Sequence, residues 1–142
     1  MNQAAIVWPT LGLVALVFAV WITLFVQRFR HMKASPPTRE DFATGAAAMR
    51  YFEPVEMPAN NLRNLFEMPV LYFALVPLLL VTGQAGPVQV VLAWAYVALR
   101  ALHSFIHIVP KKVPQRFLAY LVSTIVLSAM WIGFAVELAG VR

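Results

Sequence analysis

Four runs of apolar residues, parted by polar or Gly/Pro-rich breaks, organise the chain. No charged side chain occurs from Met1 to Gln27, and the apolar part, 4–26, exceeds the roughly 20 residues that a spanning helix needs. A second run, 64–82, holds one charge, Glu67. A third, 88–109, holds Arg100, His103 and His107, and a fourth covers 117–136. Gly83-Gln84-Ala85-Gly86-Pro87 and Pro110-Lys111-Lys112-Val113-Pro114 separate the last three runs, with the Gly and Pro content of tight connections. With their flanks, the runs predict helices over 4–27, 62–82, 88–109 and 115–137, with a long loop over 28–61. Short connections make neighbouring helices antiparallel. The expected fold is an all-α integral membrane protein, a single four-helix bundle. Within the long loop, 43–52 reads as a short helix lying on the membrane surface.

Composition narrows the class. Of 142 residues, 61% are hydrophobic and 12% charged, against about 45–50% and about 25% in soluble domains. So few charges cannot cover a soluble surface, and disorder is excluded by the same arithmetic. The chain has no cysteine, which excludes disulfide frameworks and thiolate metal sites.

The net charge of +5 is mostly a topology signal. Arg28, Arg30, Lys33, Arg39, Arg50, Arg63, Lys111, Lys112 and Arg116 lie at one end of the bundle; only Arg142 lies at the other. The positive-inside rule then puts the basic loops in the cytoplasm and both termini on the opposite side. The first run has no basic flank ahead of it and is too long for a signal-peptide core, so it is expected to persist as a helix. The pattern fits a bacterial inner membrane. Nucleic acid is not an expected partner, because there is no basic soluble domain; membrane lipids are.

Ionisable groups inside spanning helices mark functional sites by default. At 1.5 Å per residue, His107, His103 and Arg100 lie roughly 3, 9 and 13 Å inside the basic end. Glu67, on the second helix, and Tyr120, on the fourth, each lie one turn inside it. Residues three, four and seven apart share a helix face. That rule aligns Arg100 with His103 and His107, Arg63 and Asn64 with Glu67, and Arg116 with Tyr120. Two helix N-termini at the same end add free N–H groups and the positive end of the dipole. Arg28, Arg63, Arg100 and Arg116 with the lone Glu67 describe a pocket for a polyanionic small molecule carrying one cationic group. Plainer readings exist beside this one. Arg30, Lys111 and Lys112 are interfacial anchors that snorkel. Arg63 or Arg100 would serve as an ion-pair partner of Glu67, and His103 with His107 would serve a metal or haem. Trp8, Trp94 and Trp131 read as belt or lipid-facing residues.

These residues also resemble a known family. Arg63-Asn64-Leu65-Phe66-Glu67 is similar to the Arg-Asn-x-x-Glu motif at the start of helix II in the MAPEG superfamily, the membrane-associated proteins in eicosanoid and glutathione metabolism. Gln27-Arg28-Phe29-Arg30 resembles that family's basic exit from helix I. Arg100-Ala101-Leu102-His103 resembles its Arg-x-x-His in helix III, and Arg116-Phe117-Leu118-Ala119-Tyr120 its Arg-x-x-x-Tyr in helix IV. The resemblance spans the chain and points to the bacterial branch. It implies a homotrimer that binds glutathione as co-substrate between subunits near the cytoplasmic face. It further implies a transferase or peroxidase acting on a lipophilic small-molecule electrophile that enters from the lipid. Arg63, Asn64 and Glu67 would hold the glutathione backbone, with Arg28, His103 and Tyr120 lining the same site beside Arg100 and His107. Arg116, with Tyr120, would be the catalytic group, because a guanidinium lowers a thiol pKa from about 8.5. No resident metal is implied. Three positions depart from the better-known members: Asn60 in place of an additional Arg, His107 in place of a Tyr, and Phe117 in place of a Ser. A non-catalytic membrane scaffold or accessory subunit is the alternative.

Overall fold

In the computed structural model, which describes residues 3–140, four helical spans are long and apolar enough to cross a membrane: Ala4–Ala34, Met57–Val81, Pro87–Ile108 and Val113–Leu138. Six α-helices make up these spans and the loop: α1 (Val7–Ala34), α2 (Gly45–Phe52), α3 (Met57–Leu65), α4 (Pro69–Val81), α5 (Pro87–Ile108) and α6 (Val113–Leu138). Helix α1 runs seven residues past the end expected at residue 27, so Arg28, Arg30, His31 and Lys33 are helical rather than in a loop. Nothing in Gln27–Ala34 breaks a helix; Ser35-Pro36-Pro37 does, because proline forces the residue before it out of the α region.

The second span differs most from the expected continuous helix over 62–82. It begins at Met57 and is broken at Phe66–Met68. Pro69 has no N–H to give to the Leu65 carbonyl, so the turn tightens: the Phe66 N–H bonds to the Arg63 carbonyl at 3.0 Å and Leu71 to Met68 at 3.0 Å. Helix α4 then starts with Pro69 in its first turn, where a missing N–H costs nothing.

The connections follow helix-end chemistry. Helix α4 ends in a Schellman motif: Gln84 N–H to Leu79 carbonyl at 2.8 Å and Gly83 N–H to Leu80 carbonyl at 3.3 Å. Gly83, at φ 73°, takes the left-handed position that this motif needs. Gly86 and Pro87 open α5. Helix α2 is capped by Thr44, whose hydroxyl accepts from the Ala47 N–H at 3.1 Å.

In lipid, helices associate through close packing rather than water exclusion. The core joins Ile6 and Leu13 of the first span, Tyr72, Leu75 and Leu79 of α4, Ala93 and Tyr96 of α5, and Leu127 and Met130 of α6, all at or near zero exposure. Phe18, Trp21, Phe25, Val91, Phe105, Ile125 and Ile132 instead face outward, as lipid-contact residues do. Trp8 and Trp94 are exposed, but Trp131 is half-buried against the core. The end opposite the basic loops also holds polar contacts. The Gln89 amide donates to the Met130 carbonyl at 3.0 Å. The Thr10 and Tyr72 hydroxyls lie 3.1 Å apart, and Tyr72 stacks on Tyr96 at 5.2 Å.

Candidate functional site

The basic end gathers the C-terminal half of α1, the α3–α4 break, the last three turns of α5 and the start of α6. Helix α5 contributes Arg100, His103 and His107, whose offsets of three and seven put them on one face. That face is turned inward: Arg100 is 0% exposed, and His103 and His107 are each 2% exposed.

Arg100 ties three elements together. Its Nη2 donates to the Asn64 carbonyl at 3.1 Å, one of the carbonyls left free where α3 stops. A cation at that helix end also meets the negative pole of its dipole. The guanidinium carbon lies 5.4 Å from the Tyr120 ring centre, a cation–π contact. Its Nε and Nη1 are buried and have no partner. His103 reaches α6 through Nδ1, 3.0 Å from the Arg116 carbonyl. A carbonyl only accepts, so Nδ1 carries a proton, and the buried Nε2 has no partner. The His103 ring lies 5.8 Å from Tyr120 and 5.6 Å from His107. Asn64, Arg100, Tyr120, His103 and Arg116 thus form one continuous set of contacts across α3, α5 and α6.

Arg63 and Glu67 are placed differently. Both are exposed. The helix break removes the i,i+4 geometry that would align them, and they form no ion pair with each other. Glu67 does not pair with Arg100 either: among the described residues, the ion pair present is Arg28 with Glu56, at 3.2 Å. Arg28 also lies 4.6 Å over the Phe52 ring. Arg116 and Tyr120 are half-buried.

Three participants carry no sequence signal strong enough to single out. Asn61 is 0% exposed and accepts from the Ser104 hydroxyl at 3.3 Å, while its Nδ2 has no partner. Ser104 lies on the face between Arg100 and His107, four residues after the one and three before the other, a spacing that by itself does not single out a serine. Glu56 falls in a segment expected to be loop, so its pairing with Arg28 could not be read from helical spacing.

An apolar recess of about 300 Å³ opens between α5 and α6, on a face of α6 other than that of Arg116 and Tyr120. It is walled by Leu99, Leu102 and Ile106 with Leu118, Ala119 and Val122. Among the described residues, no group of three or more His, Asp or Glu side chains is placed to hold a metal ion.

No curated protein and no solved structure matches the chain. A protein-family model does, over residues 6–136, which takes in all but the outermost two residues of the first and last spans and every residue of the site. By that match over nearly its whole length, the chain belongs to the MAPEG family.

Proposed function

We propose that this protein is a glutathione-dependent membrane transferase or peroxidase that acts on lipophilic electrophiles. The family includes glutathione transferases and peroxidases as well as non-catalytic members. The observation that carries the reading is the contact set running from Asn64 through Arg100, Tyr120 and His103 to Arg116. It holds buried donors with no partner within the protein, Arg100 Nε and Nη1, and Asn61 Nδ2 on α3 is another. Such donors fit a ligand with two carboxylates and amide carbonyls, since buried donors are rarely left unpaired.

Glutathione supplies the sulfur nucleophile. Arg116, near the N-terminus of α6, stabilises the thiolate, and the helix N-terminus adds to that effect. Tyr120 completes the catalytic pair. Arg63, Asn64 and Glu67 hold the peptide, with Glu67 taking the ammonium. Arg28, Arg100, His103 and His107 line the anionic part. The apolar recess between α5 and α6 receives the second substrate from the lipid. In a homotrimer, a neighbour covers Arg63 and Glu67, which are exposed on the single chain. The basic end faces the cytoplasm of a bacterial inner membrane, with both termini on the other side.

A second reading, a non-catalytic scaffold or accessory subunit, is favoured by the inward burial of Arg100, which already bonds to the Asn64 carbonyl. Calorimetry on the detergent-purified protein separates the two. The transferase reading expects micromolar to low-millimolar glutathione binding. Arg116→Ala and Glu67→Ala should each weaken it by about tenfold, the loss of one charge-assisted hydrogen bond. Absence of binding by the folded protein would sink it.

A further inference from the structure

Arg28 is not free to meet a ligand in this structure. Its Nη2 lies 3.2 and 3.5 Å from the two Glu56 carboxylate oxygens, and Phe52 covers one face of the guanidinium at 4.6 Å. Both partners come from the segment that passes back over the end of α1. The same segment is held there twice more. A His31 ring nitrogen bonds to the Tyr51 carbonyl at 2.9 Å, and the Tyr51 hydroxyl donates to the Ser35 carbonyl. Phe42, Tyr51 and Phe52 close into an aromatic cluster against His31. Residues 42–56 therefore form a strap whose charged fastening is Arg28 with Glu56.

The strap leaves room beside that fastening. A cavity of about 410 Å³ is lined by Met49, Arg50, Glu53, Glu56 and Asn60. Glu56 is itself part of that lining, so the space lies next to its side chain. The ion pair is partly exposed, with side-chain exposures of 31% for Arg28 and 23% for Glu56. Pairs of this kind are weak and exchange readily. Arg28 Nε is buried with no partner, so the guanidinium keeps a donor that Glu56 does not use.

We infer that Glu56 is an internal competitor for Arg28: its carboxylate occupies the place on the guanidinium that a carboxylate of the incoming ligand takes. Ligand binding then moves Glu56 into the adjoining cavity and loosens the strap. This makes Glu56 a specificity-determining residue, because only a ligand presenting an anionic group at Arg28 can displace it. The inference rests on the glutathione-binding reading for the identity of the ligand, but not for the fastening itself.

The test combines glutathione calorimetry with amide hydrogen exchange of residues 45–52, on the full chain in detergent. The variants are Glu56→Gln, which keeps the shape and removes the charge, and Glu53→Gln, which removes a charge from the same cavity without touching Arg28. Glu56→Gln should bind glutathione roughly two- to fivefold more tightly, the range that a partly exposed ion pair allows. It should also speed exchange in 45–52, and Glu53→Gln should do neither. Glutathione added to the wild type should speed the same exchange. Equal or weaker binding by Glu56→Gln, or an equal gain by Glu53→Gln, overturns the competition and leaves the glutathione reading standing. If neither wild type nor Glu56→Gln binds, the glutathione reading fails, and the exchange data decide the fastening alone: unchanged exchange in Glu56→Gln overturns it. Binding by Glu56→Gln but not by wild type supports the competition and sinks the glutathione reading for the native chain.

Discussion

Arg100 carries two loads at once. It closes the carbonyl end of α3 through Asn64 and packs over Tyr120. Arg100→Met removes the donor while keeping much of the bulk, so thermal unfolding in detergent should show a loss of about 1.5–3 kcal/mol. Arg100→Lys should recover only part of it, since a compact ammonium cannot bond to the carbonyl and lie flat on the ring together. A full recovery would show that charge alone matters there. Asp41 supports a second expectation. Hydrogen bonds from the Thr38 backbone N–H and hydroxyl hold its carboxyl below its ordinary value of 3.8. A pKa depressed by folding contributes stability that is present above the unfolded value and is lost as pH falls through the folded one. Order in the 38–42 turn, followed by amide exchange, should therefore fall only below about pH 4, and Thr38→Ala, which removes the hydroxyl but keeps the backbone N–H that contributes more, should weaken that dependence without abolishing it. That Arg100, His103 and His107 share one face was legible in the sequence, because helical spacing alone fixes it; their burial was decided by packing. Asn61 and Ser104 were not, because Asn and Ser are unremarkable in a helix until another helix buries them.

The α3–α4 break is the feature that most changes the site at the scale of elements. A run of apolar residues looks continuous, and proline is tolerated in membrane helices, so the hydropathy pattern hides the break. The decisive point is local: Pro69 comes two residues after Glu67 and withholds the hydrogen bond that would have carried α3 through it. Pro69→Ala restores that donor, so thermal stability should hold or rise. Glutathione affinity should nonetheless fall, by about fivefold, as Glu67 rotates with the repaired helix. Unchanged affinity would show that the break does not present Glu67. The seven-residue extension of α1 has the same kind of cause. The sequence expectation ended the helix where charges begin, but helices end where hydrogen bonding ends, at Ser35-Pro36-Pro37. The short helix expected over 43–52 forms as α2 over Gly45–Phe52, capped by Thr44, because cap and apolar spacing are both local signals.

For the whole molecule, the remaining question is which way the bundle stands in the membrane. The chain has no cysteine, so Met49→Cys, at a position 67% exposed on α2, gives a single reactive thiol. A membrane-impermeant maleimide should label it only in inside-out vesicles or after permeabilisation; labelling of intact cells would reverse the orientation. Four spanning helices, the basic end and the cluster of ionisable groups near it followed from the sequence by itself. Hydropathy, charge and helical spacing are properties of neighbouring residues, and they survive without knowledge of packing. Only the tertiary structure decided that Arg100 is sealed between α3 and α6, that Glu67 is exposed at a helix break, and that Glu56 has taken Arg28. Those outcomes depend on which elements far apart in the chain come to touch, and in a chain this uniformly apolar the hydrophobic pattern does not distinguish a helix face that meets lipid from one that meets another helix.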